Sequence, residues 1–505
     1  REVLGTLLEA LRRPPHAAVL VAPPGAGKTT AVPLALLEEL AQGDVLVAEP
    51  RRVAARAAAR RMADMRGEAV GEAVGYRTRF DSCVTPGRTR LQVVTDGVLA
   101  AQLQGDAALS GVAAVLLDEF HERGLGSDLA LALCLHARAA REAAGLPPLR
   151  LAVMSATLAP EVVARLETLL GGAPVVRSEG RAFNVEVRHA CADRRLTRLS
   201  VKVEKRGAVE RAMAAAVVEA LQETDGSVLC FLPGVKEIKT AAKLLQKKLP
   251  SDREFLEAAF KQEPPKKFTG FGAAPKPKRA LGPVQVVPLH GGLEAADQDA
   301  AIHASPSGAR RVILATNVAE ASITVEGITA VVDSGLRRRS RFSQASGFDS
   351  LHTVPISQAS ADQRAGRAGR LRDGLCLRLW GPQEQLKPAD PPDMKLVDLT
   401  SAVLSVVACG VPVSGIAALP WLDPPPEASV AYATLILEAL GAIGGEPLRL
   451  TAHGRDLARL PLHPRLGHMA LRAGSLGQTG PALSDVAELC AALEGDRDVV
   501  RGAGG

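Results

Sequence analysis

The sequence predicts an α/β fold: two parallel-sheet domains in tandem, followed by a mostly helical region. Three observations carry this. Short apolar runs of strand length alternate with Ala-, Leu- and Arg-rich stretches of helix length, the pattern of successive βαβ units. The apolar runs are near-continuous, as strands covered on both faces require. The alternation passes through two successive sets, and after "KPADPPDMKL" the strand-like runs give way to helical ones.

In chain order, the first set of strands is "AAVLVAPPG", "DVLVAEP", "AAVLLDEF" and "RLAVMSAT". Between the second and third lies "RRVAARAAARRMADM", built of strong helix formers. This domain is expected over residues 1–176. The second set is "GSVLCFLPG", "VQVVPLHGG", "RVILATNVAEAS", "ITAVVDSG" and "GLCLRLWG", expected over residues 177–386, with "EVRHACADRR" as the joining segment. Residues 247–283 are rich in Lys, Pro and Gly and read as an extended, mobile surface insertion, either a solvated loop or an RNA-contacting arm. The remainder, with "VDLTSAVLSVVACG", the Pro-punctuated "LPWLDPPP" and "ASVAYATLILEALGAI", reads as helical.

Composition bounds the function. A chain of 505 residues with 47% hydrophobic and 23% charged residues is a globular chain of roughly three or four domains. No apolar run reaches the ~18 residues that span a bilayer. The first residue is Arg1 rather than Met, so the chain is expected to be a fragment, and a targeting segment stays an open question. The formal charge of +6 permits a polyanionic partner without demanding one. Seven scattered Cys with no CxxC pair argue against a zinc site or a disulfide framework and for a reducing, intracellular compartment. Aromatic residues are only 3%, so nucleic acid would be held by its phosphates rather than by base stacking.

The chemistry concentrates at strand ends. "VLVAPPGAGKTT" places Gly25, Gly27, Lys28, Thr29 and Thr30 directly after the first strand. Glycines let backbone N–H groups approach phosphate, Lys28 can reach the β/γ-phosphates, and the Thr29 hydroxyl can hold Mg²⁺. The helix that follows points its positive end at the same anion. Ala22 stands where the usual phosphate-loop pattern has its first Gly. "VLLDEFHERG" ends a buried strand in Asp118 and Glu119, with His121 two places on. If that strand neighbours the first, Asp118 can steer Mg²⁺ and Glu119 can polarise the attacking water. Arg51 and Arg52 open a helix, which its dipole disfavours, and read as a solvated helix start or as phosphate contacts. Arg367 and Arg370 in "QRAGRAGR" lie three apart and would share a helix face.

With these motifs in hand, the chain resembles the DEAH/DExH-box helicases of superfamily two. "DEFH" resembles their signature box, "SAT" at 155–157 their third motif and "QRAGRAGR" at 363–370 their sixth; "AEPRRVAARAAARRMA" and "VVTDGVLA" resemble motifs Ia and Ib, and "ATNVAEASITVEG" motif V. "LPWLDPPP" and "LARLPLHPRL" are similar to the bacterial HrpB-type members, and the likeness covers nearly the whole chain outside the insertion. The resemblance implies two RecA-like domains, a winged-helix domain over 387–462 and the start of a helical ratchet domain over 463–505. It implies an ATP-dependent helicase using ATP, or other NTPs, with Mg²⁺. Its partner would be single-stranded RNA rather than DNA, with 3′-to-5′ stepping, no membrane and a monomeric state. An RNA-stimulated NTPase that remodels RNA–protein complexes, or an ATP-regulated RNA clamp, are the alternatives. By residue, it implies RNA-backbone contacts at Arg51, Arg52, Thr95, Thr316 and Asn317, and coupling of hydrolysis to movement through Ser155, Thr157 and His121, the last by touching the second domain. Gln363 would orient water, while Arg367 and Arg370 would reach the γ-phosphate from the second domain, placing the ATP site between the two. Glu326 would lie near the ribose. Arg61 matches an adenine-stacking Arg, but the partner region "DQDAAIHAS" lacks the family's Phe, which puts adenine selectivity in doubt.

Overall fold

The structure is a computed structural model in which residues 2–23, 25–79, 81–178, 183–190, 207–249, 284–303, 309–320, 325–370, 372–475 and 481–494 are described. Most of the Lys/Pro-rich insertion lies outside them. The chain divides into two compact units: residues 1–179 with 341–350 and 391–505, and residues 180–340 with 351–390.

The first unit opens with α1 (Glu2–Arg12), β1 (Ala17–Val21), α2 (Lys28–Glu39), β2 (Asp44–Glu49) and α3 (Arg52–Arg66). The short β3 (Val74–Arg77) and β4 (Ser82–Cys83) follow, then β5 (Leu91–Thr95), α4 (Asp96–Gly105), β6 (Val112–Leu117), α5 (Leu125–Ala143), β7 (Arg150–Ser155), α6 (Pro160–Leu169) and β8 (Val175–Arg177). They form one eight-stranded sheet in the order β4-β3-β5-β2-β6-β7-β1-β8. All its pairings are parallel except β3 with β4. The parallel strands are the near-continuous apolar runs of the sequence: Val45–Ala48 and Ala114–Leu117 are buried at every position. The helix α3 shows why Ala and Arg alternate there. Ala55, Ala58, Ala59, Met62 and Ala63 face the sheet core, where small side chains allow close approach, and Gly67 ends the helix at φ 69°.

The C-terminal helical region belongs to this same unit: Thr400–Ala408, Glu427–Ala439, Ala452–Arg459, Pro464–Ser475 and Pro481–Glu494 are helices. Val403, Leu404 and Val406 share one apolar core with Leu99 and Leu103 of α4 and Leu129 and Leu133 of α5. Each such buried side chain contributes about 1.5–3 kcal/mol, so the C-terminal region is fastened to the helices that flank β6.

The second unit has β9 (Val185–His189), α7 (Ala208–Glu223), β10 (Ser227–Phe231), α8 (Val235–Gln246), β11 (Val284–Leu289), α9 (Ala295–Ile302), β12 (Arg310–Ala315) and β13 (Ile328–Asp333). After β14 (Leu336–Ser343) and β15 (Phe348–Pro355), a separate two-stranded sheet whose residues 341–350 belong to the first unit, come α10 (Gln358–Gly366) and β16 (Gly374–Arg378). Its sheet runs β11-β12-β10-β13-β16-β9, parallel throughout. Pro288 is tolerated because β11 is an edge strand. The start of "EVRHACADRR", expected as a plain joining segment, is the opposite edge strand β9. Apolar and charged residues alternate over Val185–Arg188, but exposure does not follow them, since Val187 is 42% exposed; the strand is held by backbone pairing to β16.

Candidate nucleotide site and nucleic-acid contacts

In the first unit the chemistry gathers at the carboxyl ends of the parallel strands, where ligands bind in such sheets. The loop after β1 turns through Gly25 at φ 86° and Gly27 at φ 78°, values that favour glycine. Gly27 precedes α2, and no side chain caps that helix start. Its first N–H groups are therefore directed at an anion site. Thr30 bonds back to Gly27 O at 3.3 Å.

The condition that the strand carrying the carboxylates neighbour β1 is not met: β7 lies between β6 and β1. The side chains bridge that gap. The Thr29 hydroxyl donates to Asp118 Oδ2 at 2.6 Å, and Lys28 Nζ lies 3.3 Å from Glu119 Oε1 and 4.0 Å from Asp118 Oδ1. The intervening β7 contributes Ser155, whose hydroxyl sits 3.3 Å from His121 Nδ1 and donates to Thr157 O at 3.0 Å. His121 Nδ1 is in turn 3.5 Å from Glu119 Oε2. One chain of contacts thus joins Lys28, Glu119, His121 and Ser155 within this unit.

Burial sets the electrostatics. It pushes Asp118 up to about 6, with Glu119 adding repulsion and Lys28 pulling the other way. Burial alone would lower the Lys28 ammonium, but Asp118, Glu119 and Glu49 outweigh it and hold it above the usual lysine value. Added cationic charge at this point favours the ionised carboxylates. The donor set, a threonine hydroxyl beside a carboxylate, is hard oxygen and suits Mg²⁺, which takes one or two such ligands and completes its shell with phosphate and water. No group of three or more His, Cys, Asp or Glu positioned for a metal occurs among the described residues, so phosphate oxygens would be needed there.

The other predicted residues of this unit are more dispersed. Arg51 pairs with Glu122 at 3.0 Å, while Arg52 and Arg61 are exposed on α3. Thr95 precedes α4 without capping it by its side chain.

In the second unit, Thr316 and Asn317 follow β12 in a tight turn and are half-buried. Glu326 is exposed, 3.8 Å from His303. The helix α10 carries Gln363 but stops at Gly366, so Arg367 and Arg370 do not share a helix face. The last turn tightens, with Arg367 N–H and Ala368 N–H bonding three residues back, and the chain leaves through Ala368 and Gly369. Arg367 is buried and donates to the Glu320 carbonyl, and Arg370 is half-buried.

Residues 5–166 match the DEAD/DEAH box helicase family, and residues 274–372 the helicase conserved C-terminal domain. ATP-dependent RNA helicase HrpB of Escherichia coli (strain K12) is 40% identical over 495 residues, covering 97% of this chain and 54% of that protein. The crystal structure of Escherichia coli DEAH/RHA helicase HrpB superposes with a TM-score of 0.79 at 39% identity, over 98% of this chain and 56% of that one. The chain belongs to the DEAH/DExH-box helicases, of the HrpB type. Probable ATP-dependent RNA helicase DHR2 of Saccharomyces cerevisiae (strain ATCC 204508 / S288c) is 32% identical, over 94% of this chain and 59% of that protein. The chain therefore spans about half the length of these relatives. The two α/β sheets are the RecA-like folds of the family. No helix among the described residues is long and apolar enough to cross a membrane.

Within this helicase fold, sequence reasoning overlooked three groups. Glu49 closes β2, beside β6, with 0% exposure and neither carboxylate oxygen hydrogen-bonded among the described residues. Burial, with Asp118 and Glu119 adding, pushes it well above the ordinary carboxylate range. Its signal was the one that exposed Asp118: a carboxylate ending an apolar strand, here in "VLVAEP". Arg364, inside the sixth motif, is buried between Glu320 and Asp333, at 2.8 Å from each, and lies over the Phe231 ring. Arg123, four residues after Glu119, pairs with nearby Asp128 and with Asp423, the latter too distant in sequence to be foreseen.

Proposed function

We propose that this chain is the catalytic part of an ATP-dependent RNA helicase. The observation that carries the reading is the convergence of Lys28 and Thr29 on Asp118 and Glu119, two strands apart in the sheet. Lys28 and the loop N–H groups bind the β/γ-phosphates, and Thr29 with Asp118 holds Mg²⁺. When bound, Mg²⁺ neutralises phosphate charge. Glu119 orients the attacking water and accepts its proton. Gln363, Arg367 and Arg370 supply water orientation and positive charge to the transferred phosphoryl group, and His121, Ser155 and Thr157 relay the nucleotide state. Arg51, Arg52, Thr95, Thr316 and Asn317 contact the nucleic-acid backbone. The nucleoside specificity is relaxed, since the region of α9 offers no aromatic ring to stack against a base. Residues 387–462 serve as a winged-helix domain, and 463–505 begin a ratchet domain.

Support for RNA comes from HrpB and DHR2, both named as RNA helicases. The test is displacement of a labelled strand from RNA duplexes carrying a 3′ or a 5′ single-stranded tail, with ATP and Mg²⁺. Unwinding of the 3′-tailed duplex alone is expected. ATP hydrolysis stimulated by RNA without displacement would favour a remodelling NTPase, and ATP-dependent RNA retention without hydrolysis would favour a clamp.

A further inference from the structure

The turn that carries Glu119 is strained at both ends. Glu119 sits at φ 49° and Arg123 at φ 48°, left-handed conformations that a non-glycine residue adopts only when its surroundings hold it there. Between them Phe120–Glu122 form a single 3₁₀ turn, with Phe120 buried. The surroundings of Arg123 are specific. Its guanidinium forks onto Asp128 at 2.9 and 3.0 Å and lies over the Phe120 ring, 5.8 Å from the centroid. The same guanidinium donates to Asp423 Oδ2 at 2.5 Å, across 300 positions of sequence. The Asp393 N–H donates to the Arg123 carbonyl at 3.0 Å. Asp423 is itself fixed from the other side by Arg165, at 3.1 Å. Leu125, Met394 and Trp421, each close in sequence to one of these polar groups, line one apolar pocket. The C-terminal region therefore grips both the side chain and the backbone of the residue that closes the catalytic turn, and all of these groups belong to the first unit.

We propose that Asp423 is a positioning residue for ATP hydrolysis, which by holding Arg123 keeps the Glu119–Arg123 turn in the strained geometry that aims Glu119. Asp423 acts through Arg123. This rests on the reading of Glu119 as the water-orienting base. A mostly buried, charge-assisted contact of this kind is stronger than a surface pair. Its loss lets the turn relax toward ordinary backbone angles, and misplacement of a catalytic group by about 1 Å can cost about 100-fold in rate.

The test compares Asp423→Asn, Asp423→Ala, Asp423→Glu and Arg165→Ala in the full chain, with Glu119→Gln alongside. ATP affinity and the single-turnover rate of bound ATP are measured for each; the latter counts only folded, ATP-loaded molecules. Asp423→Ala and Asp423→Asn should lose about tenfold or more in the hydrolysis rate while ATP affinity stays within about twofold, the signature of an effect confined to the chemical step. Asp423→Glu should recover part of the loss. Arg165→Ala, which removes a half-exposed contact but spares the one to Arg123, should lose clearly less than Asp423→Ala. Wild-type rates in both Asp423→Ala and Asp423→Asn would overturn the proposal, and Asp423→Asn alone decides it should the alanine variant not fold. A fall in ATP affinity that accounts for the whole loss would also overturn it, assigning Asp423 a structural role only. Normal turnover in Glu119→Gln would instead overturn the reading of Glu119, a result distinguishable from either.

Discussion

Replacing Arg364 by Ala should unfold the second unit far more easily than any exposed-arginine change. The side chain is 1% exposed and bonds Glu320 and Asp333, which are 11% and 0% exposed. The two carboxylates together hold the Arg364 guanidinium well above its ordinary pKa against the opposing effect of burial. Removing the cation leaves two largely buried carboxylates without it and empties the space over Phe231. Breaking a buried ion pair by deleting one partner costs about 3–5 kcal/mol, at least about a fifth of the roughly 5–15 kcal/mol that stabilises a typical domain. The sequence has two Trp, and they serve as separate reporters: Trp380 lies in the core of the second unit and Trp421 in the first. In a Trp421→Phe background, urea unfolding followed by fluorescence therefore reads the second unit. Arg364→Ala should lower the midpoint by the equivalent of about 3 kcal/mol or more, with Arg364→Lys intermediate because it keeps the charge but not the fork. Adding Glu320→Gln and Asp333→Asn to Arg364→Met should recover most of the loss. A drop below about 1 kcal/mol in Arg364→Ala would refute the structural role of this arginine.

Other outcomes follow from the same structure. Burial pushes Asp96 up to about 6, although Ser127 donates to it at 2.7 Å. The folded state thus holds this proton more tightly than the unfolded one, and stability should fall as pH rises from about 4 to 6, by up to about 3 kcal/mol. Asp96→Asn should flatten that pH profile in thermal unfolding, and an unchanged slope would refute it. Arg370→Ala should bind ATP nearly normally yet hydrolyse it about 10³-fold more slowly, as expected for an arginine acting on the transition state; collapsed affinity with surviving turnover of bound ATP would make it a ground-state ligand. RNA affinity should fall steeply with salt and differ little among homopolymers, because the candidate contacts are Arg, Thr and Asn to phosphate. A flat salt response with strong preference for one homopolymer would contradict this.

Both sheets are legible in the sequence because strands buried on both faces must be nearly continuous in Val, Leu and Ala, as in β2, β6 and β10. The phosphate loop and Asp118–Glu119 are legible because each is a polar break at the end of such a run. Edge strand β9 is not, since none of its positions is fully buried and its short mixed run resembles a linker. The strand order is not either: nothing local in "VLLDEF" or "RLAVMSAT" says that β7 separates β6 from β1. The break of the sixth motif after Gly366 depends on tertiary packing, where Gly369 meets the Phe183 carbonyl too closely for a side chain. Arg364 is invisible as a structural anchor because its carboxylate partners lie 31 and 44 residues away, and for Arg123 the hidden partner is Asp423, 300 residues away, although Asp128 is only five.

The central claim is that Glu119, brought to Lys28 and Thr29 by the fold, turns over ATP held by the loop after β1. The direct measurement is equilibrium ATP binding and single-turnover hydrolysis on one preparation of Glu119→Gln. The substitution keeps the shape and removes the carboxylate that accepts the proton. Binding should be retained, and hydrolysis should fall at least ~100-fold. Near-normal hydrolysis of bound ATP would contradict the assignment of the site.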